Sequence, residues 1–213
     1  MKIIVFGAAG DVGSRVVKEA LQRGHVVTAV VRNKNKLNRI PQGASMLVLD
    51  ATEAEALDHA MVGHDLAVSA LRPPDGRETD LPKLTKLVLN AASQSKTRVL
   101  IVGGAANLLM PDFSGHTVLT APNFLPDDVK PIAAACFVQF AYCVADENAD
   151  WTYFSPPAMF EPGQRTGNYR RGSDMLLVDE DGSSRVSMED FAIAMMDEAE
   201  APTKNLKRIT VAY

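Results

Sequence analysis

The sequence predicts a layered α/β fold in which a parallel sheet is buried between helices. Apolar runs of strand length recur along the 213 residues, with amphipathic segments of helix length between them. The runs are continuous rather than alternating, the pattern of strands covered on both faces. A strand, a glycine-rich turn, a helix and a second strand open the chain. This length suits one sizeable core, so a single domain spanning 1–213 is expected.

The elements follow in order. KIIVF at 2–6 leads into a helix over 11–23, where Val12, Val16, Val17, Ala20 and Leu21 face inward at helical spacing. HVVTAVV at 25–31 and SMLVL at 45–49 are the next strands, and a helix over 53–61 follows. DLAVSAL at 65–71 precedes a helix over 80–93. RVLIV at 98–102 precedes a helix over 128–148, and WTYF at 151–154 forms the sixth strand. A helix over 189–200 is announced by Ser187, whose hydroxyl can cap orphan amides while Glu189 or Asp190 faces the positive helix end. KRITVAY at 207–213 adds a terminal strand.

Two long segments, 103–127 and 155–185, lack any period, and the second holds a small hairpin around MLLV. Both follow strand carboxyl ends, where open α/β sheets bind ligands. They are expected to form the substrate pocket, as a small C-terminal lobe. Phe113, Phe124, Met159, Phe160 and Tyr169 are its candidate apolar walls. Arg170 and Arg171 read either as contacts for an acidic substrate group or as a solvated hairpin tip.

Composition excludes several classes. The net charge of −4, from 22 basic and 26 acidic residues, offers no field for nucleic acid or an anionic membrane. MKIIVFG is too short for a signal-peptide core, and no apolar stretch reaches membrane-spanning length. A cytoplasmic protein is expected. Cys136 and Cys143 stand about 10 Å apart along one helix face, beyond disulfide reach, and read as reduced packing residues. No histidine and cysteine spacing suggests a metal site, and a monomer is favoured over a homodimer.

The opening GAAGDVG carries the chemistry. Gly7 makes the tight turn, Gly10 admits a pyrophosphate to the backbone, and Gly13 lets helix and sheet pack closely. The amides around Ala9, Asp11 and Val12, at the positive end of the first helix, face the phosphates. Dinucleotide sites for NAD usually carry a carboxylate at the end of the second strand, but here the chain reads VVRNKNK. Arg32, with Asn33 and Lys36 beside it, suits a 2′-phosphate, so NADPH is expected rather than NAD. Lys34 reads as solvated surface. Asp50, with Ala51, either accepts the adenine amino group or caps the helix that follows. Ser69, Ala70 and Leu71 run beside the adenosine ribose.

These residues, with VGGAANL, DWTYFSPP and RVSMEDFAIAMMDE further on, resemble the atypical short-chain dehydrogenases of the NAD(P)H-binding, NmrA-like type. Within them the chain is similar to small NADH-flavin reductases and to biliverdin IXβ/flavin reductase. The resemblance implies a Rossmann-like doubly wound sheet flanked by helices. It places the nicotinamide between Gly103, Gly104 and Ala105 on one side and Ser155, Pro156 and Pro157 on the other. Typical members of the superfamily use a tyrosine and a lysine one helical turn apart. Here Tyr142 is followed four residues on by Asp146, and Lys130 has no tyrosine partner. Hydride transfer to a flavin, quinone or similar planar acceptor therefore fits better than carbonyl reduction. Lys130 is a candidate for orienting cofactor or substrate, and His116 for donating a proton. The rival readings are an NmrA-like dinucleotide sensor without turnover and a sugar-nucleotide epimerase.

Overall fold

The computed structural model describes residues 1–112, 114–204 and 206–213. Its strands are β1 (Lys2–Phe6), β2 (Val26–Val31), β3 (Ser45–Val48), β4 (Leu66–Ser69), β5 (Arg98–Val102), β6 (Trp151–Ser155), β7 (Met159–Glu161), β8 (Arg170–Gly172), β9 (Arg185–Ser187) and β10 (Arg208–Ala212). Its helices are α1 (Asp11–Gln22), α2 (Ala54–Met61), α3 (Asp80–Ser95), α4 (Lys130–Val144) and α5 (Met188–Glu200), with a 3₁₀ turn at Lys34–Arg39. Among the described residues the main sheet runs β3-β2-β1-β4-β5-β6-β10-β8. Every pairing in it is parallel except β10 with β8. The strand order reverses between β1 and β4, the switch point at which such sheets hold ligands.

Alternation along β1 shows how the layers are built. Ile3 and Val5 belong to the cluster packed with α1 and α5, whereas Ile4 and Phe6 belong to the cluster packed with α2, α3 and α4. Both faces are buried, as the continuous apolar runs require. Ser187 caps α5 as expected, its hydroxyl accepting a hydrogen bond from the Asp190 amide at 3.0 Å. Helix α4 is shorter than the expected 128–148, because it begins at Lys130 and ends at Val144 before an Asp146 turn.

The second irregular segment differs from the expected hairpin. Residues 175–178 form no strand; Met175 makes an isolated bridge to Leu109, and Leu176 is buried with Leu108 and Val118. The pairing strand is β8, where Arg170 and Arg171 lie against β10. These arginines are structural: Arg170 donates to the Tyr213 and Val178 carbonyls, and Arg171 donates to Glu198 at 2.6 Å. Phe160 packs on Phe191 of α5 at 4.7 Å between ring centroids, and the Tyr169 hydroxyl donates to Asp197. Phe160 is thus drawn to α5, whereas Tyr169, tied to Asp197, also lines a surface pocket with Thr166, Asn168 and Tyr213. Phe124 packs against the Leu108 cluster, Met159 is exposed, and Phe113 lies outside the described residues.

Buried acids on α5 lock this half of the sheet in place. Asp190 accepts hydrogen bonds from the Thr166 and Gly167 amides and from the Thr166 and Tyr213 hydroxyls. Glu198, fully buried, accepts from Arg98 at 2.8 Å, Arg171 at 2.6 Å and Thr203. Burial alone would raise its carboxyl pKa, but the Thr203 amide and hydroxyl and the two arginines hold it below the ordinary value of 4.5.

The unfolded chain therefore takes up a proton at Glu198 before the folded one does. Its contribution to stability is full above about pH 4.5 and is lost as pH falls through the lower folded value. Glu198→Gln, which leaves two guanidiniums short of a partner charge, is expected to cost about 3 kcal/mol at neutral pH. It should also flatten the acid limb of a urea-midpoint titration; an unchanged limb would remove Glu198 from that role.

Candidate functional site

A cleft of about 260 Å³ opens at the carboxyl ends of β1, β2, β3 and β4. Its floor is the turn after β1. Gly7 has φ +76°, and a Cβ there would lie 2.3 Å from the Ala70 carbonyl oxygen. A Cβ on Gly13 would lie 2.2 Å from the Gly7 oxygen. Packing within the protein accounts for both of these glycines. Gly10 differs: it is exposed, and a Cβ there would meet only the Gly7 oxygen at 3.2 Å. Gly10 is also the N-cap of α1 and offers no side chain to its first-turn amides. The positive end of α1 is left without a capping group beside the cleft, which suits an anion.

Of the residues picked out in the sequence, Gly7, Ala9, Gly10, Arg32, Asn33, Lys36, Asp50, Ala51, Ala70 and Leu71 all line this one cleft. Arg32 and Lys36 are exposed on the β2 side, where the Asn33 side chain accepts from the Asn35 amide at 2.9 Å and starts the 3₁₀ turn. Asp50 does not cap α2, whose N-cap is Glu53 with no side-chain bond. Instead its Oδ1 accepts from the Thr52 amide at 3.0 Å and hydroxyl at 2.9 Å. The Thr52 amide, more than burial opposes it, holds the Asp50 carboxyl below its ordinary range, helped by the Thr52 hydroxyl and the fields of Arg32 and Arg77.

Sequence reasoning missed part of the far wall. Arg72, Pro73, Pro74 and Arg77 from the β4–α3 connection, and Asp80 and Leu84 from α3, also line the cleft. Arg77 is held by Asp80, to which its Nε donates at 2.8 Å. The RPPDGR stretch has no period, but its two arginines flanking a turn were the available signal. The cleft is thus lined by cations from two segments, Arg32 and Lys36 after β2 and Arg72 and Arg77 after β4, with Asp50 and Asp80 among them.

The other residues picked out lie elsewhere. Asp11, Val12 and Gly13 open α1 behind the glycine turn, and Ser69 is buried in β4. Gly103, Gly104 and Ala105 follow β5, and Ser155, Pro156 and Pro157 are buried at the end of β6. The Ser155 hydroxyl has no hydrogen-bond partner among the described residues. None of these six lines the cleft. Lys130 is exposed and paired with Asp127 at 2.6 Å. His116 is exposed, with Nδ1 3.4 Å from the Thr120 hydroxyl. Among the described residues no helix is long and apolar enough to cross a membrane.

A doubly wound sheet with a glycine-floored, cation-walled cleft at its switch point defines a Rossmann-type dinucleotide-binding protein. The chain matches the NAD(P)H-binding family over residues 7–201 and belongs to it. It is 35% identical to the uncharacterised protein YwnB of Bacillus subtilis over 213 residues, covering 99% of this chain and 98% of that one. A Streptococcus pneumoniae structure, provisionally described as an NADH-flavin reductase, superposes with a TM-score of 0.87 at 32% identity, covering 100% of this chain and 99% of that one. A Bacteroides thetaiotaomicron structure, provisionally described as an epimerase, gives 0.89 at 34% identity, covering 100% and 96%. The likeness to atypical short-chain dehydrogenases read from the sequence therefore stands.

The glycines separate packing from binding. Gly13→Ala is expected to destabilise the fold by about 1–3 kcal/mol through overpacking. Gly10→Ala should leave the melting temperature nearly unchanged and weaken binding of NADPH. Thermal melts paired with fluorescence titrations check this, and wild-type affinity in Gly10→Ala would mean that no phosphate approaches that backbone.

Proposed function

We propose that the protein is an NADPH-dependent reductase that passes hydride to a flavin or a similar planar acceptor. The observation that carries the cofactor choice is the cation-walled cleft: Arg32 stands at the end of β2, where an NAD site has a carboxylate. The residues around the cleft fit the cofactor. The uncapped start of α1 beside Gly10 would hold the pyrophosphate, Asp50 and Ala51 the adenine, and Arg32 with Lys36 the 2′-phosphate. When bound, the cofactor supplies a hydride and the solvent a proton, reducing the acceptor by two electrons.

The chain's own task in this reading is alignment. Gly103, Gly104 and Ala105 border the reacting ring on one side, and Ser155, Pro156 and Pro157 form a stiff wall on the other. No tyrosine and lysine pair is needed, because a flavin or quinone accepts hydride without a positioned acid. Tyr142 is exposed on α4 and is followed one turn later by Asp146. Lys130 and His116 are the remaining candidates for orienting the acceptor or donating a proton. The similarity to the S. pneumoniae protein supports the flavin reading. A dinucleotide sensor is the second reading, favoured by the cleft lining, which ends at the β4–α3 connection and α3.

Steady-state oxidation of NADPH and NADH, with FMN and with a quinone, tests the proposal. Saturable turnover above the uncatalysed background is expected, with a preference for NADPH that falls about 10- to 100-fold in Arg32→Ala. Tight NADPH binding with no turnover would transfer the assignment to the sensor. Equal kcat/KM for the two cofactors would overturn the role of Arg32.

A further inference from the structure

Tyr153 lies in the middle of β6 and is wholly buried, with Phe140 of α4 edge-on to its ring at 5.0 Å. Its hydroxyl accepts a hydrogen bond from the Gly104 amide at 3.1 Å and donates to Gln139 Oε1 at 2.9 Å. The chain continues: Gln139 Nε2 donates to Thr85 Oγ1 at 3.0 Å, which donates to the Leu81 carbonyl at 3.0 Å. Thr85 and Leu81 lie on the first turns of α3, the same stretch that sends Asp80 and Leu84 into the cleft. A buried polar chain thus connects the far wall of the cleft to the loop after β5.

The same ring dictates the sequence of that loop. A Cβ on Gly103 would fall 1.9–2.2 Å from Tyr153 ring and hydroxyl atoms, and one on Gly104 would fall 2.7 Å from Cys136 Cβ. The loop is pressed flat on Tyr153 and Cys136 and then tied down at one amide. Burial keeps the phenol protonated, so it has a proton for Gln139 and a lone pair for Gly104.

We propose that Tyr153 is a positioning residue for the nicotinamide half of the site. Its hydroxyl pins the Gly104 amide and thereby fixes the backbone of Gly103–Ala105 against which the reacting ring is held. This rests on the cofactor reading given above. Tyr153 touches neither cofactor nor acceptor; it acts through the loop. An amide released from its partner lets the loop lift, and alignment for hydride transfer tolerates little displacement.

The test compares two ligands: NADPH, and adenosine 2′,5′-bisphosphate, which lacks the nicotinamide half. In Tyr153→Phe, which keeps the ring and removes one oxygen, NADPH affinity is expected to fall about tenfold while bisphosphate affinity holds within about twofold. Thr85→Val removes a buried hydrogen bond further along the chain and should lower the melting temperature without changing the ratio of the two affinities. A ratio unchanged in Tyr153→Phe overturns the proposal, because the hydroxyl would then have no hold on the nicotinamide half; an equal shift in Thr85→Val overturns it as well, because loss of core packing alone would then explain the shift. Wild-type protein that holds NADPH no more tightly than the bisphosphate overturns it too, while leaving the cleft assignment intact. If neither ligand binds, the cofactor reading itself falls, and this proposal with it.

Discussion

The carboxyl end of the sheet is organised by close backbone approach at two points, where Gly7 lies under the Ala70 carbonyl and Gly13 lies over Gly7. No side chain fits at either glycine, so β1, the end of β4 and the first turn of α1 are drawn together at the switch point. That approach sets the depth of the cleft floor and aims the uncapped amides of α1 across it. The cations are then added from two independent segments, the β2 end and the β4–α3 connection. Neither would define a site without the backbone geometry between them.

The other half of the sheet is organised by charge. Among the described residues three acids are buried, Glu19 on α1 and Asp190 and Glu198 on α5, and each is matched by donors. Glu19 accepts from Arg23 and Arg165, both at 2.9 Å. Breaking one member of such a set costs more than the pair gains over an apolar core, so these groups serve chiefly to specify position. They fix where the 163–168 segment, β8 and the C-terminal Tyr213 lie. Here a polar framework does the holding that apolar contacts do around β1.

Much of this was legible in the sequence, wherever the determining information is local. The glycine spacing, the apolar runs of β1 to β6 and the Ser187 cap each depend on residues close in the chain. Strand β8 was not legible: RRG has no apolar signature and becomes a strand only because Glu198 and Tyr213, distant in sequence, receive its arginines. Phe160 reads as a pocket wall by type, yet α5 offers it a ring instead. Arg72 and Arg77 entered the cleft because of where an aperiodic loop folds. The resemblance sets Gly103 and Gly104 beside the nicotinamide, while the structure gives them a packing reason, Tyr153 and Cys136, that no local pattern reveals.

The two margins of the main sheet are unlike. At one, β8 is antiparallel, short and charged, with both arginines already engaged. At the other, β3 exposes Met46 and Val48 and carries no charge within its four residues. A chain in search of a partner strand would find the first margin guarded by charge and the second restrained mainly by its brevity. The sheet therefore has a polarity of risk as well as of strand direction: any misassembly that extends it begins at the free edge of β3, on the side that carries the Arg32 wall of the cleft.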